Sequence, residues 1–278
     1  MKLADIKTLL IDGDGVLWRD NVPMPGLLPF FAVLEHRRIQ WALLTNNNTR
    51  TVDAYVTKLA EFGVKIEKDR IFTSSTVTAV YLEQKYGRAA AVHCVGMSGL
   101  IDTLLEAGFH LTHGEEMPDH DVVAVAAGMD RAINHGKIRV AMRLIMGGAE
   151  FVATNTDGSF PSSDGLNPGT GMVIGALQAT TGIPPTVMGK PQPTIYDTAM
   201  RAMGADPETT AMLGDRLNTD ILGAQSVGIG TIGVLSGVMT QEELATSVIQ
   251  PDVLFDNIGK LAEALKKTTN SEQSTKNK

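Results

Sequence analysis

A chain of 278 residues with 43% hydrophobic content can bury a large core and can divide into two domains of ordinary size. Its formal net charge of −7 and isoelectric point near 5.4 argue against a nucleic-acid or anionic-membrane surface, but not against an anionic ligand in a pocket holding a metal and a lysine. Cys94 is the single cysteine, which excludes an intramolecular disulfide and a cysteine-rich metal centre.

In chain order, the first element is the run Leu9-Leu10-Ile11, which enters Asp12-Gly13-Asp14-Gly15-Val16-Leu17-Trp18. Three large apolar residues in a row read as a strand buried on both faces, as at the centre of a parallel sheet. On a strand, i and i+2 side chains share a face about 6.5–7 Å apart, so Asp12 and Asp14 are predicted to be like charges at one desolvated strand end. A divalent cation relieves that repulsion, and so does a division of labour between a nucleophile and a proton donor. The strand is entered within about six residues and no apolar run reaches the ~18 of a membrane span, so the expectation is a soluble cytoplasmic protein with no secretory signal.

Pro23 and Pro25 mark a loop, and Leu28, Phe31 and Leu34 then predict a helix over 27–38. A buried strand at 41–44 ends in Thr45-Asn46-Asn47-Asn48-Thr49. A helix over 51–62 is stopped by Gly63, a short strand covers 71–73, and a helix over 77–86 is stopped by Gly87. The middle of the chain alternates likewise, with strands at 91–95, 122–126 and 151–153 and helices at 100–107 and 138–146. A loop over 155–170, rich in Ser, Gly, Asn, Asp and Pro, is long enough to imply a function or disorder. A helix over 171–180 follows. The last third places strands at 186–188, 210–213, 230–235 and 253–255 and helices at 194–203, 220–227 and on to about residue 266. The tail over 268–278 is polar and free of aromatics and reads as disordered.

Strand-helix alternation implies α/β architecture with a parallel sheet and right-handed crossovers. Two domains are expected: an α/β core from 1–78 and 187–278, and an inserted α/β domain at 79–186. Ligands of such sheets bind at the carboxyl ends of strands, where this chain carries Asp12 and Asp14, Thr45 and Asn46, Lys190, and Asp215 with Asp220. A carboxylate nucleophile calls for an electrophile such as phosphorus, and a neighbouring acid can protonate the leaving oxygen. A dianionic phosphomonoester repels a carboxylate, so Mg2+ is required between them, with hard oxygen ligands available from Asp12 and Asp215. Thr45 and Asn46 can donate hydrogen bonds to phosphoryl oxygens, and Lys190 offers the compensating charge.

These segments resemble a known family. Asp12-Gly13-Asp14-Gly15-Val16-Leu17-Trp18, Leu44-Thr45-Asn46-Asn47, Gly189-Lys190-Pro191 and Gly214-Asp215-Arg216-Leu217-Asn218-Thr219-Asp220 are similar, in this order, to the four motifs of the haloacid dehalogenase superfamily. The resemblance is to its NagD/4-nitrophenylphosphatase branch. The stretches Ala153-Thr154-Asn155-Thr156-Asp157-Gly158-Ser159-Phe160-Pro161 and Pro168-Gly169-Thr170-Gly171 look like that branch's cap signature.

The resemblance implies a Rossmann-like core with an inserted C2-type cap, and a Mg2+-dependent phosphatase of small phosphorylated metabolites. By it, Asp12 forms an aspartyl-phosphate and Asp14 is the acid that becomes the base activating water. Mg2+ is held by the Asp12 carboxylate, the Asp14 backbone carbonyl and Asp215. Thr45, Asn46 and Lys190 hold the phosphoryl group, and Asp220 supports Lys190 or a metal-bound water. Caps of this branch can also mediate homo-oligomers. Asn48 stands where serine is common, and Val125-Ala126-Ala127-Gly128-Met129-Asp130 is a looser form of a usual Val-Gly-Leu-Asp segment. Both departures bear on substrate choice, not on the chemistry, and residues 157–167 are expected to set specificity.

Other readings compete. A phosphotransferase or mutase would use the same residues and pass the phosphoryl group to an acceptor other than water. A phospho-accepting signalling module would need neither the insertion nor Asp14. An Asp-x-Asp pair also suits a calcium loop, but no ligands follow at the required offsets. Gly228-Ile229-Gly230-Thr231-Ile232-Gly233 matches a dinucleotide fingerprint, yet it leads into a strand where the fingerprint must open a helix. His110, His113 and His120 are predicted to lie in a loop, and the thirteen methionines to be adaptable core filler.

Overall fold

The computed structural model describes residues 1–162 and 165–276. The chain folds as two compact units, one of Met1–Thr45, Val56–Phe72 and Tyr196–Lys278, the other of Asn46–Tyr55 and Thr73–Ile195.

The first unit is built on a six-stranded sheet in the order Val253–Phe255, Gly230–Val234, Thr210–Gly214, Thr8–Ile11, Gln40–Thr45, Ile71–Thr73. Thr8–Ile11 is flanked on both sides by parallel neighbours and every one of its residues is buried, as an unbroken apolar run requires. Its register sets Ile11 beside Leu213 on one side and Leu43 on the other. The three strands end within two residues of that register, at Ile11, Gly214 and Thr45, which gathers Asp12, Asp215 and Thr45 at the carboxyl end of the sheet. A backbone hydrogen bond from Asp12 N to Leu213 O (2.9 Å) fixes the first two.

The crossover helix is Leu27–His36, and it buries Leu27, Phe30, Val33 and Leu34. This corrects the predicted stripe by one residue. Leu28 is 53% exposed, because adjacent leucines at 27 and 28 leave the spacing ambiguous.

The second unit carries a five-stranded sheet in the order Thr186–Val187, Glu150–Ala153, Ala124–Ala127, Ala91–Val95, His110–His113, parallel throughout. Val95, Val125, Phe151, Ile174 and Leu177 form its core with helices His135–Met146 and Gly171–Thr181. Glu150 ties this sheet to helix Ser74–Tyr86 by accepting from Tyr81 Oη (2.7 Å), Tyr86 Oη (2.8 Å) and Lys85 Nζ (2.9 Å).

Several expectations fail for physical reasons. Residues 110–113 are an edge strand and not a loop: an edge pairs on one side only, so a polar sequence suffices. The predicted loop over 155–170 contains an antiparallel hairpin, Ser159–Ser162 with Gly165–Pro168. Prolines at 161 and 168 hid it, since proline in a strand is tolerated only where no ladder donor is needed. Ser163 and Asp164 of that stretch lie outside the described residues. The helix expected over 220–227 is a π-turn at Leu217–Ile221 followed by a short α-helix, Leu222–Ser226. The terminal helix runs Ile258–Lys276, past the start of the tail predicted to be disordered, and neither glycine nor proline stands between Lys260 and Lys276 to end it. Among the described residues no helix is long and apolar enough to cross a membrane.

Candidate active site

Asp12, Asp215 and Asp220 are brought together in the first unit. Each offers a carboxylate oxygen, these oxygens lie within 4.8 Å of one another, and all three residues are buried. Three acids at that spacing in a low dielectric repel strongly unless a cation neutralises them. The donors are hard oxygens, the set that Mg2+ prefers.

Local backbone features aim each acid. Asp215 follows strand Thr210–Gly214, and its Oδ2 accepts from Val238 N (2.8 Å) while its backbone O accepts from Met239 N (2.8 Å). Gly15 and Gly237 lie so close to the Asp215 carboxylate that a Cβ on either would overlap it. The π-turn swings Asp220 back toward the strand end, where its Oδ2 accepts from Arg216 N (3.1 Å) and its Cβ rests on Gly214. Beneath the cluster, buried Tyr196 donates to Thr219 O (2.9 Å) and Asp220 O (3.2 Å). Burial, followed by the charges of Asp220 and Asp12, pushes its phenol well above the ordinary range, so it remains a donor.

Asp14 parts company with Asp12. The strand stops at Ile11, and Gly13 O accepts from Leu17 N (2.9 Å) and Trp18 N (3.2 Å), so residues 13–18 form a turn. The predicted shared strand face is thereby corrected: Asp12 is buried, whereas Asp14 is exposed and its Oδ1 accepts from Trp18 Nε1 at 2.9 Å.

Asn46 and Lys190 are brought together in the second unit, and both are buried. The Asn46 carboxamide grips the main chain of Lys190 twice: Lys190 N donates to Oδ1 (2.8 Å) and Nδ2 donates to Lys190 O (2.9 Å). Nδ2 also donates to Asp157 Oδ2 (3.1 Å), so both amide hydrogens are engaged. Asn46 O accepts from Ser74 Oγ (2.8 Å) and Asn155 Nδ2 (2.7 Å). Gly189 leaves room for this hub, because a Cβ there would strike Asn46 Oδ1 and Thr154 O. Asn48 accepts from Met129 N (2.8 Å) and donates to Thr170 Oγ1 (3.1 Å), so the two departures from the family pattern touch each other. Thr45 is buried at the end of its strand in the first unit.

Sequence reasoning missed Asp157 as a partner of Asn46, and it missed Tyr196, the role of Trp18 and the segment Ser236–Met239. The last was within reach, since it is another strand end, following Gly230–Val234. The glycine pattern before it is a turn and strand as expected, with Gly228 at φ 74°. His93 was also passed over: it is buried, its Nδ1 meets Thr112 Oγ1 at 3.0 Å, and burial and His113 push its imidazole down to about 4.

Residues 9–110 match the family model described as haloacid dehalogenase-like hydrolase, and residues 187–261 match a second model, HAD-hydrolase-like. An acid sugar phosphatase of Staphylococcus aureus is 32% identical over 265 residues, covering 95% of this chain and 100% of that protein. The crystal structure of 4-nitrophenylphosphatase from Thermotoga maritima superposes with a TM-score of 0.87 at 32% identity, covering 95% of this chain and 98% of that one. Glycerol phosphate phosphatase of Mycobacterium tuberculosis, solved in complex with magnesium, gives a TM-score of 0.84 at 28% identity, covering 94% of this chain and 78% of that one.

Proposed function

We propose a mechanism for this chain from one premise: it belongs to the haloacid dehalogenase-like hydrolases and is a phosphatase of that type, acting on phosphoric monoester bonds. The reading is a Mg2+-dependent phosphatase of small phosphomonoesters that works through an aspartyl-phosphate on Asp12. The observation that carries it is the buried cluster of Asp12, Asp215 and Asp220 beyond the ends of two paired parallel strands. Bound Mg2+, held by the carboxylates of Asp12 and Asp215 and the Asp14 carbonyl with Asp220 beside them, supplies the positive charge that lets a dianionic ester approach a carboxylate.

The chain's own groups do the rest. An oxygen of Asp12 attacks phosphorus, the ester P–O bond breaks, and Asp14 gives its proton to the departing oxygen. Asp14, now a carboxylate, takes a proton from water as that water attacks the aspartyl-phosphate, releasing phosphate and restoring Asp12. The Thr45 hydroxyl and the Lys190 ammonium stabilise the charge on the phosphoryl oxygens. Because both hydrogens of the Asn46 amide are already engaged, Asn46 contributes to phosphoryl binding through its backbone N–H.

Substrate choice belongs to the inserted segment at 79–186, acting as a cap, with residues 157–167 reading the substrate. Relatives named for sugar, glycerol and 4-nitrophenyl phosphates support a small, uncomplicated phosphomonoester as substrate. A panel of such esters assayed with Mg2+, with Asp12→Asn as the blank, tests the reading. Release of inorganic phosphate, together with acid-stable phosphoprotein that disappears in Asp12→Asn, is the expected result. Transfer of phosphate to an added sugar without release of inorganic phosphate would replace it with a phosphotransferase.

A further inference from the structure

We infer that Trp18 is the positioning residue of Asp14, fixing the rotation of its carboxyl group through the indole N–H. The inference rests on the reading of Asp14 as proton donor and acceptor. Trp18 Nε1 donates to Asp14 Oδ1 at 2.9 Å, and an indole nitrogen is a donor only, so the contact has a single polarity. The last torsion of an aspartate is broad and two-fold, and an exposed carboxyl group would otherwise exchange its two oxygens freely. With Oδ1 engaged, Oδ2 is the oxygen left to exchange a proton with the reacting groups.

Trp18 is held as a rigid mount should be. It is fully buried, and its ring lies so close to Gly13 that a Cβ there would overlap the ring carbons. Phe62 packs beside it with ring centroids 6.4 Å apart. Lys58, itself buried, sets its ammonium 4.3 Å from the indole centroid and anchors it by donating to Asp20 O at 2.6 Å. A cation over the ring face draws electron density from the indole and makes its N–H a better donor. The main chain closes the same loop, since Trp18 N donates to Gly13 O (3.2 Å) and Gly15 N to Trp18 O (2.7 Å). Donor and acceptor thus sit on one short, pinned turn.

Both halves of the reaction then use one oxygen. In the first, the ester P–O bond breaks as Asp12 bonds to phosphorus, and the Oδ2 proton of Asp14 goes to the departing oxygen. In the second, Oδ2 takes a proton from the water whose oxygen bonds to phosphorus, and the P–O bond to Asp12 breaks.

Trp18→Phe keeps the packing of the ring and deletes the donor. For glycerol phosphate, whose alkoxide must be protonated to leave, kcat/KM should fall about tenfold. For 4-nitrophenyl phosphate, whose phenolate leaves unaided, kcat/KM should stay within about twofold, because it reports only the steps up to aspartyl-phosphate formation. Equal loss on both substrates, or no loss on either, overturns the inference. A readout independent of turnover uses the two tryptophans, Trp18 and Trp41, whose indole N–H resonances can be followed by NMR. Asp14→Ala should move the Trp18 resonance and leave Trp41 in place; an unmoved Trp18 resonance overturns the inference even if Trp18→Phe fails to fold. Asp14→Asn separates the inference from its premise. Full turnover of glycerol phosphate in that variant removes the role given to Asp14 itself, whereas an inactive Asp14→Asn beside an undiminished Trp18→Phe removes only the role of Trp18.

Discussion

In the first unit three buried acids face one another within 4.8 Å, whereas in the second the buried Asn46 amide meets the backbone N and O of Lys190 and a carboxylate of Asp157. One cluster gathers like charges, which disfavour the metal-free fold and favour a bound cation. The other gathers complementary donors and acceptors, which favour the fold by themselves. The difference separates two kinds of site residue. Removing an acid from the first cluster should spare the fold and destroy the chemistry; removing the amide from the second should damage both.

The largest effect follows from Asp215→Asn. Turnover should drop about a thousandfold or more, matching the several kcal/mol of charge stabilisation a metal provides. The metal-free melting temperature should stay level or rise, because one of three repelling charges is gone, and the rise in melting temperature on adding Mg2+ should vanish. A lower metal-free melting temperature would mean that the three acids do not repel. Asn46→Ala comes next. It removes two buried hydrogen bonds to the Lys190 main chain, which should lower stability by about 2–4 kcal/mol and turnover by about a hundredfold. Chemical denaturation and steady-state kinetics measured together decide whether the two losses coincide, and an Asn46→Ala protein as stable as the parent would sink the contrast.

The same contrast explains what could be read from the sequence. Apolar runs that stop at polar residues mark strand ends whatever the side chains do afterwards, so Asp12, Thr45, Lys190 and Asp215 were legible, and so was the parallel sheet. Side-chain direction was not. Asp12 and Asp14 look equivalent in sequence, and only the turn at Gly13 sends one into the interior and the other to Trp18. That the Asn46 carboxamide spends its hydrogens on Lys190 O and Asp157 could not be read either, because the sequence does not show where a carboxamide points. Ser236–Met239 could be placed as a strand end but not given a role, because it serves Asp215 with backbone N–H groups and with the missing Cβ of Gly237 and carries no reactive side chain to it.

That last segment supplies a finer test of the first cluster. Gly237→Ala adds one methyl group against the Asp215 carboxylate and should turn it away from its neighbours. Supporting groups around metal ligands typically govern affinity by about 10–100-fold, so Mg2+ should bind at least about tenfold more weakly, with turnover restored in part at high Mg2+. A titration of activity against Mg2+ reads this directly. An unchanged midpoint would show that the glycine serves only the backbone.

The smallest effect on turnover is expected from His93, and it sharpens the second unit's side of the contrast. Its imidazole lies in the strand Ala91–Val95, buried and neutral, with burial the main cause of a value near 4 against the ordinary 6.5. Between those values the unfolded chain binds a proton that the folded chain does not, so stability rises with pH across the interval. The stabilisation is complete above about pH 6.5 and is lost as pH falls toward 4, by at most about 3 kcal/mol for a shift of this size. His93→Asn keeps a polar partner for Thr112 and should flatten this slope while leaving turnover at neutral pH unchanged. Denaturation profiles of the parent and the variant at several pH values between 4 and 7 test this. Parallel slopes would place the titrating group elsewhere, and a slope of opposite sign would mean that the folded chain holds His93 protonated.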